Sequence, residues 1–283
     1  MAVHSGGYIA TNYHVISLAT SSNFYTLEVY HNNSTSPHGA KVLWSNINLD
    51  IAIIKCDCGD MPYVEMVDRF VYASQTNILQ PLETVIAIGT PIDFTLQNTS
   101  TLGYISSSSG RISYADNGIV YETLIQHTAP INHGNSGGPL FDMTGKLIGL
   151  NTLGNDDANS LFFAVPIYPV IQIIDKIVSA DQNNTTYSIP VLGVSAIDRY
   201  MAENNGDFSS SGLYVNSVTS GTNAVGYLRE GDVINGITID NVFYKIDVRN
   251  DLLYALLNSN SGDVVEVSFT RGILNRTVEF SLS

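Results

Sequence analysis

One heptapeptide, Gly134–Leu140, has the composition of a nucleophile turn, Gly-Asn-Ser-Gly-Gly-Pro-Leu. A serine that attacks a carbonyl needs an exposed hydroxyl on a tight turn, with backbone N–H groups directed at one point beside it. The glycines around Ser136 permit such a turn, because glycine reaches backbone angles that other residues avoid. The sequence therefore predicts Ser136 as a nucleophile and an oxyanion site at Gly134, Asn135 and Ser136. The alternative is a Gly-rich turn between two strands, with a solvent-facing serine.

A serine hydroxyl also needs a base, and the base needs a third group that orients it. His14 closes an apolar segment that predicts a strand, and Asp50 precedes the apolar run Ile51–Ile54. Taken singly, they could be a histidine at a strand end and an aspartate in a turn. Together with the serine turn, their order is that of the chymotrypsin-type double β-barrel. We therefore predict His14 as general base, Asp50 as its orienting partner and Ser136 as nucleophile.

Six segments resemble, in the same order, the HtrA/Deg family of trypsin-like serine proteases. They are Thr-Asn-Tyr-His-Val (11–15), Leu-Asp-Ile-Ala-Ile-Ile-Lys (49–55), Gly-Thr-Pro (89–91), Gly-Tyr-Ile-Ser (103–106), the serine turn (134–140) and Gly-Lys-Leu-Ile-Gly-Leu-Asn (145–151). The resemblance implies a mostly β fold, a chymotrypsin-like double β-barrel followed by a PDZ domain. It also implies an endopeptidase that cleaves unfolded or loosely structured polypeptides through an acyl-enzyme, without a cofactor.

Two departures from the family pattern concern the start of the chain and the oxyanion turn. Fewer residues precede His14 than the family usually has, so the first barrel is expected to be shortened, without its opening strand. An edge exposed in this way must be covered or paired. The resemblance also implies that the segment through which many relatives form trimers would lie before this start, so homo-oligomer formation stays open. His133 stands where relatives usually carry proline and could re-aim the oxyanion loop.

A polar, proline-terminated stretch divides the chain. Just before it, apolar residues recur at helical spacing over 167–180, where the family has a helix that ends the protease domain. We expect a protease domain over 1–180, a linker over 181–190 and a PDZ domain over 191–283.

The last part of the chain matches the family more loosely than the first. In PDZ domains an extended peptide adds a strand, and the resemblance assigns capture of the peptide's C-terminus to Val191, Leu192, Gly193 and Val194. The segment Gly226–Leu228 reads Gly-Tyr-Leu where the family usually has Ala-Gly-Leu. The alternative is a packed module that binds no peptide.

The resemblance also suggests which substrate residue precedes the cut. It places Pro130 at the base of the primary specificity pocket, with Leu150, Asn151 and Thr152 along one wall. Pro130 carries no charge, so a basic side chain would find no partner there. We therefore expect a small or aliphatic residue before the scissile bond.

The composition excludes several classes of partner. The net charge is −14, whereas a nucleic-acid partner would need a basic face. No apolar run reaches the roughly 18–20 residues of a membrane span. No signal peptide is predicted either, so an intracellular or virus-associated protein is the default expectation.

Two further pairs of residues have side chains that could carry other chemistry. Cys56 and Cys58 are two apart on a predicted strand, where a bridge would be awkward, so we expect reduced thiols. His127 and His133 flank the serine turn, but no Cys or carboxylate joins them at ligand spacing, and no metal site is predicted.

Two alternatives to a general endopeptidase remain open. One is a non-catalytic, protease-like PDZ scaffold that keeps the triad but cannot assemble the oxyanion site, motivated by His133 and the short start. The other is a virus-associated maturation protease that cuts few sites, suggested by the low content of charged residues, 13%. Labelling of Ser136 by a serine-reactive probe separates the first from an active enzyme.

Overall fold

The computed structural model describes residues 1–22, 24–30, 36–69, 78–91, 96–110, 114–116, 119–121, 124–154, 161–199 and 211–283. The chain divides into two compact units, Met1–Tyr187 and Ser188–Ser283. Strands predominate in both, which confirms the predicted mostly β class. In the part of the chain given above, no helix has the length and apolar character that crossing a membrane requires.

The first unit opens with a sheet of five strands. They are β1 Ala2–His4, β2 Tyr8–Thr11, β3 Leu27–Val29, β4 His38–Asn46 and β5 Ile51–Cys56, and helix α1, Tyr13–Ser21, follows β2. The order is β1-β2-β5-β4-β3 with antiparallel neighbours. Within the described residues the sheet stays open, with β1 and β3 as its edges, as a shortened first barrel requires. A short strand of three residues, β1, opens the sheet.

The rest of this unit is built around a second β-structure that closes on itself. Its strands are β6 Thr84–Gly89, β7 Thr99–Gly110, β10 Leu124–His127, β11 Pro139–Asp142, β12 Leu147–Gly154 and β13 Phe162–Pro166, while β8 Tyr114–Asp116 and β9 Ile119–Tyr121 pair separately. They form a closed barrel in the order β10-β13-β12-β11-β6-β7. Buried Val85, Ile105 and Leu140 belong to its core. Helix α2, Tyr168–Gln182, follows the barrel and buries Ile173 and Ile177.

The structure corrects the expectation of reduced cysteines. Cys56 and Cys58 form a disulfide, with their Cα atoms 5.2 Å apart. The prediction assumed that both residues lie on one strand, but β5 ends at Cys56. Cys58 lies beyond the end of the strand, so the extended spacing of roughly 6–7 Å between residues two apart on a strand no longer keeps the two cysteines apart.

The second unit is one twisted antiparallel sheet with a helix. Its elements are β14 Val194–Asp198, β15 Leu213–Val218, β16 Val233–Ile239, β17 Val242–Lys245, helix α3 Arg249–Leu257, β18 Val264–Arg271 and β19 Leu274–Ser281. The strand order is β14-β15-β16-β18-β19, and β17 also pairs with β16. Ile237, Leu256 and Phe269 belong to its apolar core.

Candidate active site

His14 lies in the first turn of α1 rather than at the end of a strand. Strand β2 ends at Thr11, and Asn12 precedes the helix as its N-cap. The backbone N–H of His14 donates to Asp50 Oδ1 at 3.0 Å. The carboxylate thus satisfies one of the unpaired donors at the start of the helix. The junction between strand and helix therefore positions the backbone of His14.

Asp50 is fully buried at the end of the turn that joins β4 to β5. In this turn the side-chain oxygen of Asn46 accepts hydrogen bonds from the N–H groups of Asn48 and Leu49, at 2.9 and 3.1 Å. Asp50 itself has φ of 50°, a left-handed conformation that aspartate tolerates better than most residues. The local sequence of the turn therefore permits the backbone angle that Asp50 adopts.

The Asp50 carboxylate orients the His14 ring. Nδ1 of His14 lies 2.9 Å from Oδ2 of Asp50 and 3.1 Å from Oδ1. Because an ionised carboxylate only accepts hydrogen bonds, Nδ1 carries the proton and Nε2 is the basic nitrogen. Thr152 Oγ1 also donates to Oδ2, at 2.9 Å. The buried charge is thus fully hydrogen-bonded, as its burial requires.

The hydroxyl of Ser136 forms a hydrogen bond with Thr152, the residue that also contacts Asp50. Ser136 Oγ donates to the backbone carbonyl of Thr152 at 2.9 Å. Thr152 therefore contacts the aspartate with its side chain and the serine with its backbone. The described structure shows no hydrogen bond between this hydroxyl and the His14 ring, so the hydroxyl must leave the Thr152 carbonyl before its proton can pass to a base.

Asn12 joins the histidine helix to the serine turn, a link that no sequence motif predicts. Its Nδ2 donates to the backbone carbonyl of Asp50 at 3.0 Å, and its Oδ1 accepts the N–H of Gly137 at 2.7 Å. Gly137 has φ of 77°, and a Cβ there would overlap the Thr11 hydroxyl. A polar residue between a strand and a helix is a typical N-cap, but sequence alone does not show its distant partners.

The backbone N–H groups of the serine turn fall into two sets. Those of Asn135 and Gly138 are used within the turn, donating to the carbonyls of Asn132 and Asn135 at 3.0 and 2.9 Å. Those of Gly134 and Ser136 have no acceptor among the described residues. The structure thus corrects the predicted place of Asn135 in the oxyanion site, because its N–H is already occupied, and leaves the N–H groups of Gly134 and Ser136 available.

The residues predicted to form the specificity pocket lie in two places. Pro130 is exposed, whereas Leu150, Asn151 and Thr152 are consecutive buried residues of β12. The side-chain amide of Asn151 donates to the carbonyl of Pro139 at 2.8 Å, which ties β12 to the end of the serine turn. The pocket itself stays a prediction.

The four residues predicted to bind peptide have different environments in the second unit. Leu192 is buried in the apolar core, and Val194 begins β14, an edge strand. Gly193 has φ of 85°. The N–H of Val191 donates to the carbonyl of Ser283 at 3.0 Å, so this donor is already used within the fold.

His127 is a second histidine near the serine turn, and its environment contrasts with that of His14. It is fully buried on β10, and neither ring nitrogen makes a hydrogen bond with the described residues. Burial lowers the pKa of His127 to about 4. Nearby backbone groups of Ala129 and Phe163 oppose this effect only in part. His127 is therefore a neutral structural residue at pH 7.

Comparisons with known proteins agree with this arrangement. The trypsin-like peptidase domain matches residues 1–150. The serine protease Do-like HtrA of Bacillus subtilis is 31% identical over 97% of this chain and 60% of its own length. The protein of the same name from Lactococcus lactis subsp. lactis is 30% identical over 99% of this chain and 68% of its own length. The chain thus spans about three fifths of the first relative and two thirds of the second.

Solved structures show the same fold. The serine endoprotease from Yersinia pestis superposes with a TM-score of 0.64 at 22% identity, over 100% of this chain and 87% of its own. The HtrA-type protease AlgW with a decapeptide gives a TM-score of 0.66 at 24% identity, over 100% and 81%. With the family match and the site geometry, these findings show that the chain belongs to the HtrA group of trypsin-like serine proteases.

Proposed function

We propose that this chain is a serine endopeptidase that cleaves unfolded or loosely structured polypeptides with His14, Asp50 and Ser136. One observation carries the proposal. The buried carboxylate of Asp50 binds the Nδ1–H of His14, while Thr152 connects that carboxylate to the hydroxyl of Ser136. Three distant segments of the sequence thus meet in one hydrogen-bonded group that contains a nucleophile, a base and the group that orients the base.

In the first half of the proposed reaction the substrate acylates the serine. Ser136 Oγ forms a bond to the carbonyl carbon while its proton passes to Nε2 of His14. The free N–H groups of Gly134 and Ser136 stabilise the oxyanion. The C–N bond then breaks, His14 gives its proton to the leaving amine, and the acyl group stays on Ser136.

Water completes the cycle by the same proton path. It attacks the acyl carbon and gives a proton to Nε2 of His14, and that proton returns to Ser136 Oγ as the acid leaves. Asp50 stays ionised throughout and stabilises the imidazolium that forms twice in each cycle. No step requires a group from outside the chain other than water and substrate.

A fluorophosphonate probe tests this proposal directly. It is expected to label the wild-type protein at Ser136, and Ser136→Ala is expected to abolish the labelling. Ser5→Ala, at an exposed serine in another turn, is the matched control and should label normally. A folded wild-type protein that the probe does not modify would favour the non-catalytic scaffold.

In the same proposal the second unit binds the C-terminal ends of polypeptides. Two observations support this role: β14 is an edge strand, and α3 packs beside it. An edge strand can pair with an extended peptide. Fluorescence anisotropy should show that peptides with a free C-terminal carboxylate bind about tenfold more tightly than amidated ones, which corresponds to ~1.4 kcal/mol. Equal or no binding would favour the packed module.

Substrate profiling tests the remaining parts of the proposal. A peptide library should show a small or aliphatic residue before the cut, and a preference for Lys or Arg would contradict the predicted pocket. Mass spectrometry of digests should show cuts in many unrelated unfolded proteins. Cleavage confined to a few sites would favour the maturation protease.

A further inference from the structure

A cavity lies between the nucleophile turn and the open first sheet. Its volume is about 930 Å³, and its lining includes Gly134 and Ser136 as well as Leu27 and Val29 of β3. This volume is at the upper end of the roughly 300–1,000 Å³ that ligand pockets occupy. In the part of the chain that the structure describes, the cavity extends from the serine turn to β3.

The cavity is mainly apolar. Ile9, Ile16 and Ile54 line it and are at least nine-tenths buried, and Leu27 and Val29 pack against the same cluster. Among its described lining residues, Glu28 is the only one with a charged side chain, and that residue is exposed. An apolar wall gains free energy by covering apolar side chains and none by covering charged ones.

The path of the proton decides which part of a substrate this cavity faces. In the proposed function His14 protonates the leaving amine, so the departing segment lies on the histidine side of Ser136. Val15 and Ile16, directly after His14, line the cavity. The residues predicted for the specificity pocket, Pro130 and Leu150–Thr152, do not. The cavity is therefore on the side of the leaving segment.

We infer that this cavity binds the leaving segment of a polypeptide substrate and selects a bulky apolar residue two or three positions after the scissile bond. The inference rests on the proposed function and adds a specificity site to it. Strand β3 is an edge of its sheet and presents backbone groups with which an extended peptide can pair. The backbone of the leaving segment runs along β3, and its apolar side chain enters the cavity.

Two series of substrates test the inference. Internally quenched peptides that differ only in the second and third residues after the cut, Leu or Phe against Asp, are compared by kcat/KM. The reference substrate is a peptide thioester with the same acyl part and a small thiol as leaving group. This leaving group is too small to occupy the cavity. The apolar peptides are expected to be cleaved about tenfold or more faster than the acidic ones, since burying one such side chain is worth at least that factor.

Three variants test whether this substrate preference arises in the cavity. Val29→Glu is expected to reduce the ratio of apolar peptide to thioester kcat/KM by about tenfold, because it puts a carboxylate on the apolar wall. Val29→Ile should keep the ratio. Leu82→Glu introduces the same charge at a residue that is 80% exposed and outside the cavity, and should also keep it. Thioester turnover reports for each variant that the active site has folded.

The outcomes separate this inference from the proposed function. Thioester hydrolysis without any preference after the scissile bond, or a preference that survives Val29→Glu, overturns the inference and leaves the endopeptidase intact. A folded protein that neither hydrolyses the thioester nor reacts with the fluorophosphonate overturns both. A cavity filled by a second copy of the chain would instead give a dimer in sedimentation that Val29→Glu dissociates, and this too would overturn the inference.

Discussion

The two units each bury a carboxylate against a basic side chain, but with different partners. In the first unit Asp50 binds the imidazole of His14, whose side chain is 30% exposed. In the second unit the fully buried carboxylate of Asp232 binds Nε and Nη2 of Arg271 at 2.7 and 2.8 Å. Both arrangements satisfy a charge that would be costly to bury alone.

The difference lies in what the partner can do with a proton. A histidine gains and loses one near neutral pH, and its exposed side can meet a substrate. An arginine stays charged, so its pair with Asp232 can only hold the turn before β16 against β18. A buried carboxylate is therefore not by itself a sign of catalysis. Whether it can take part in catalysis depends on which side chain it binds and on whether that side chain is accessible from a cavity.

The largest expected effect comes from replacing each of the two buried aspartates by asparagine in separate variants. Asp50→Asn is expected to lower kcat/KM on a peptide substrate by about 10⁴, because an amide no longer holds the tautomer or stabilises the imidazolium. Asp232→Asn, the matching change in the second unit, should leave kcat/KM on the same peptide substrate unchanged. Equal losses in both variants would show that the carboxylate of Asp50 acts only through folding.

Removing the arginine should damage only the second unit. Arg271→Ala leaves Asp232 buried and unpaired, which is expected to cost about 3–5 kcal/mol. Hydrogen exchange should report the loss in the second unit, while fluorescence of Trp44, the single tryptophan, reports the first. Arg276→Ala is the control. This residue is exposed on the neighbouring strand β19, and the substitution should change stability by less than about 0.5 kcal/mol.

His127 is a buried histidine without a carboxylate partner among the described residues, so it shows how burial alone changes the pKa of an imidazole and the stability of the fold. Its pKa is lowered from 6.5 to about 4 by burial. Below pH 6.5 the unfolded chain therefore binds a proton that the folded chain cannot, and stability falls until the pH approaches 4. The loss should reach about 3 kcal/mol. Denaturant unfolding of the wild type followed by Trp44 at pH 7, 5 and 4 should show this decline.

The control for this prediction is a histidine in contact with solvent. His127→Phe should remove the acid-dependent part of the loss, whereas His133→Phe, at an exposed position, should retain it. A decline that is identical in the wild type and His127→Phe would show that other groups in the first unit cause it.

Most of the fold and the chemical groups of the site could be predicted from sequence. The strands β4, β5, β6 and β13 and helix α2 carry strong periodic or apolar patterns, because each buries one face or both. The serine turn could be predicted because its glycines meet a local backbone requirement. Three local predictions were wrong: the strand placed at His14 is a helix, the cysteines form a disulfide, and the N–H of Asn135 is already used within the turn.

What the sequence could not show is which groups touch over long distances. Asn12 and Thr152 organise the site through partners 125 and 102 residues away, in Gly137 and Asp50. The occupied N–H of Asn135 and the cavity behind β3 also follow only from the folded chain.

The sequence by itself determined the candidate nucleophile Ser136, the candidate base His14, the candidate orienting carboxylate Asp50 and their order in the chain, because short segments carry the local composition and backbone requirements that predict them. Only the tertiary structure decided which nitrogen of His14 faces Asp50, which N–H groups of the serine turn have no acceptor among the described residues, and where a cavity lies beside that turn. These depend on hydrogen-bond partners and empty space that arise when an open sheet and a closed barrel are brought together.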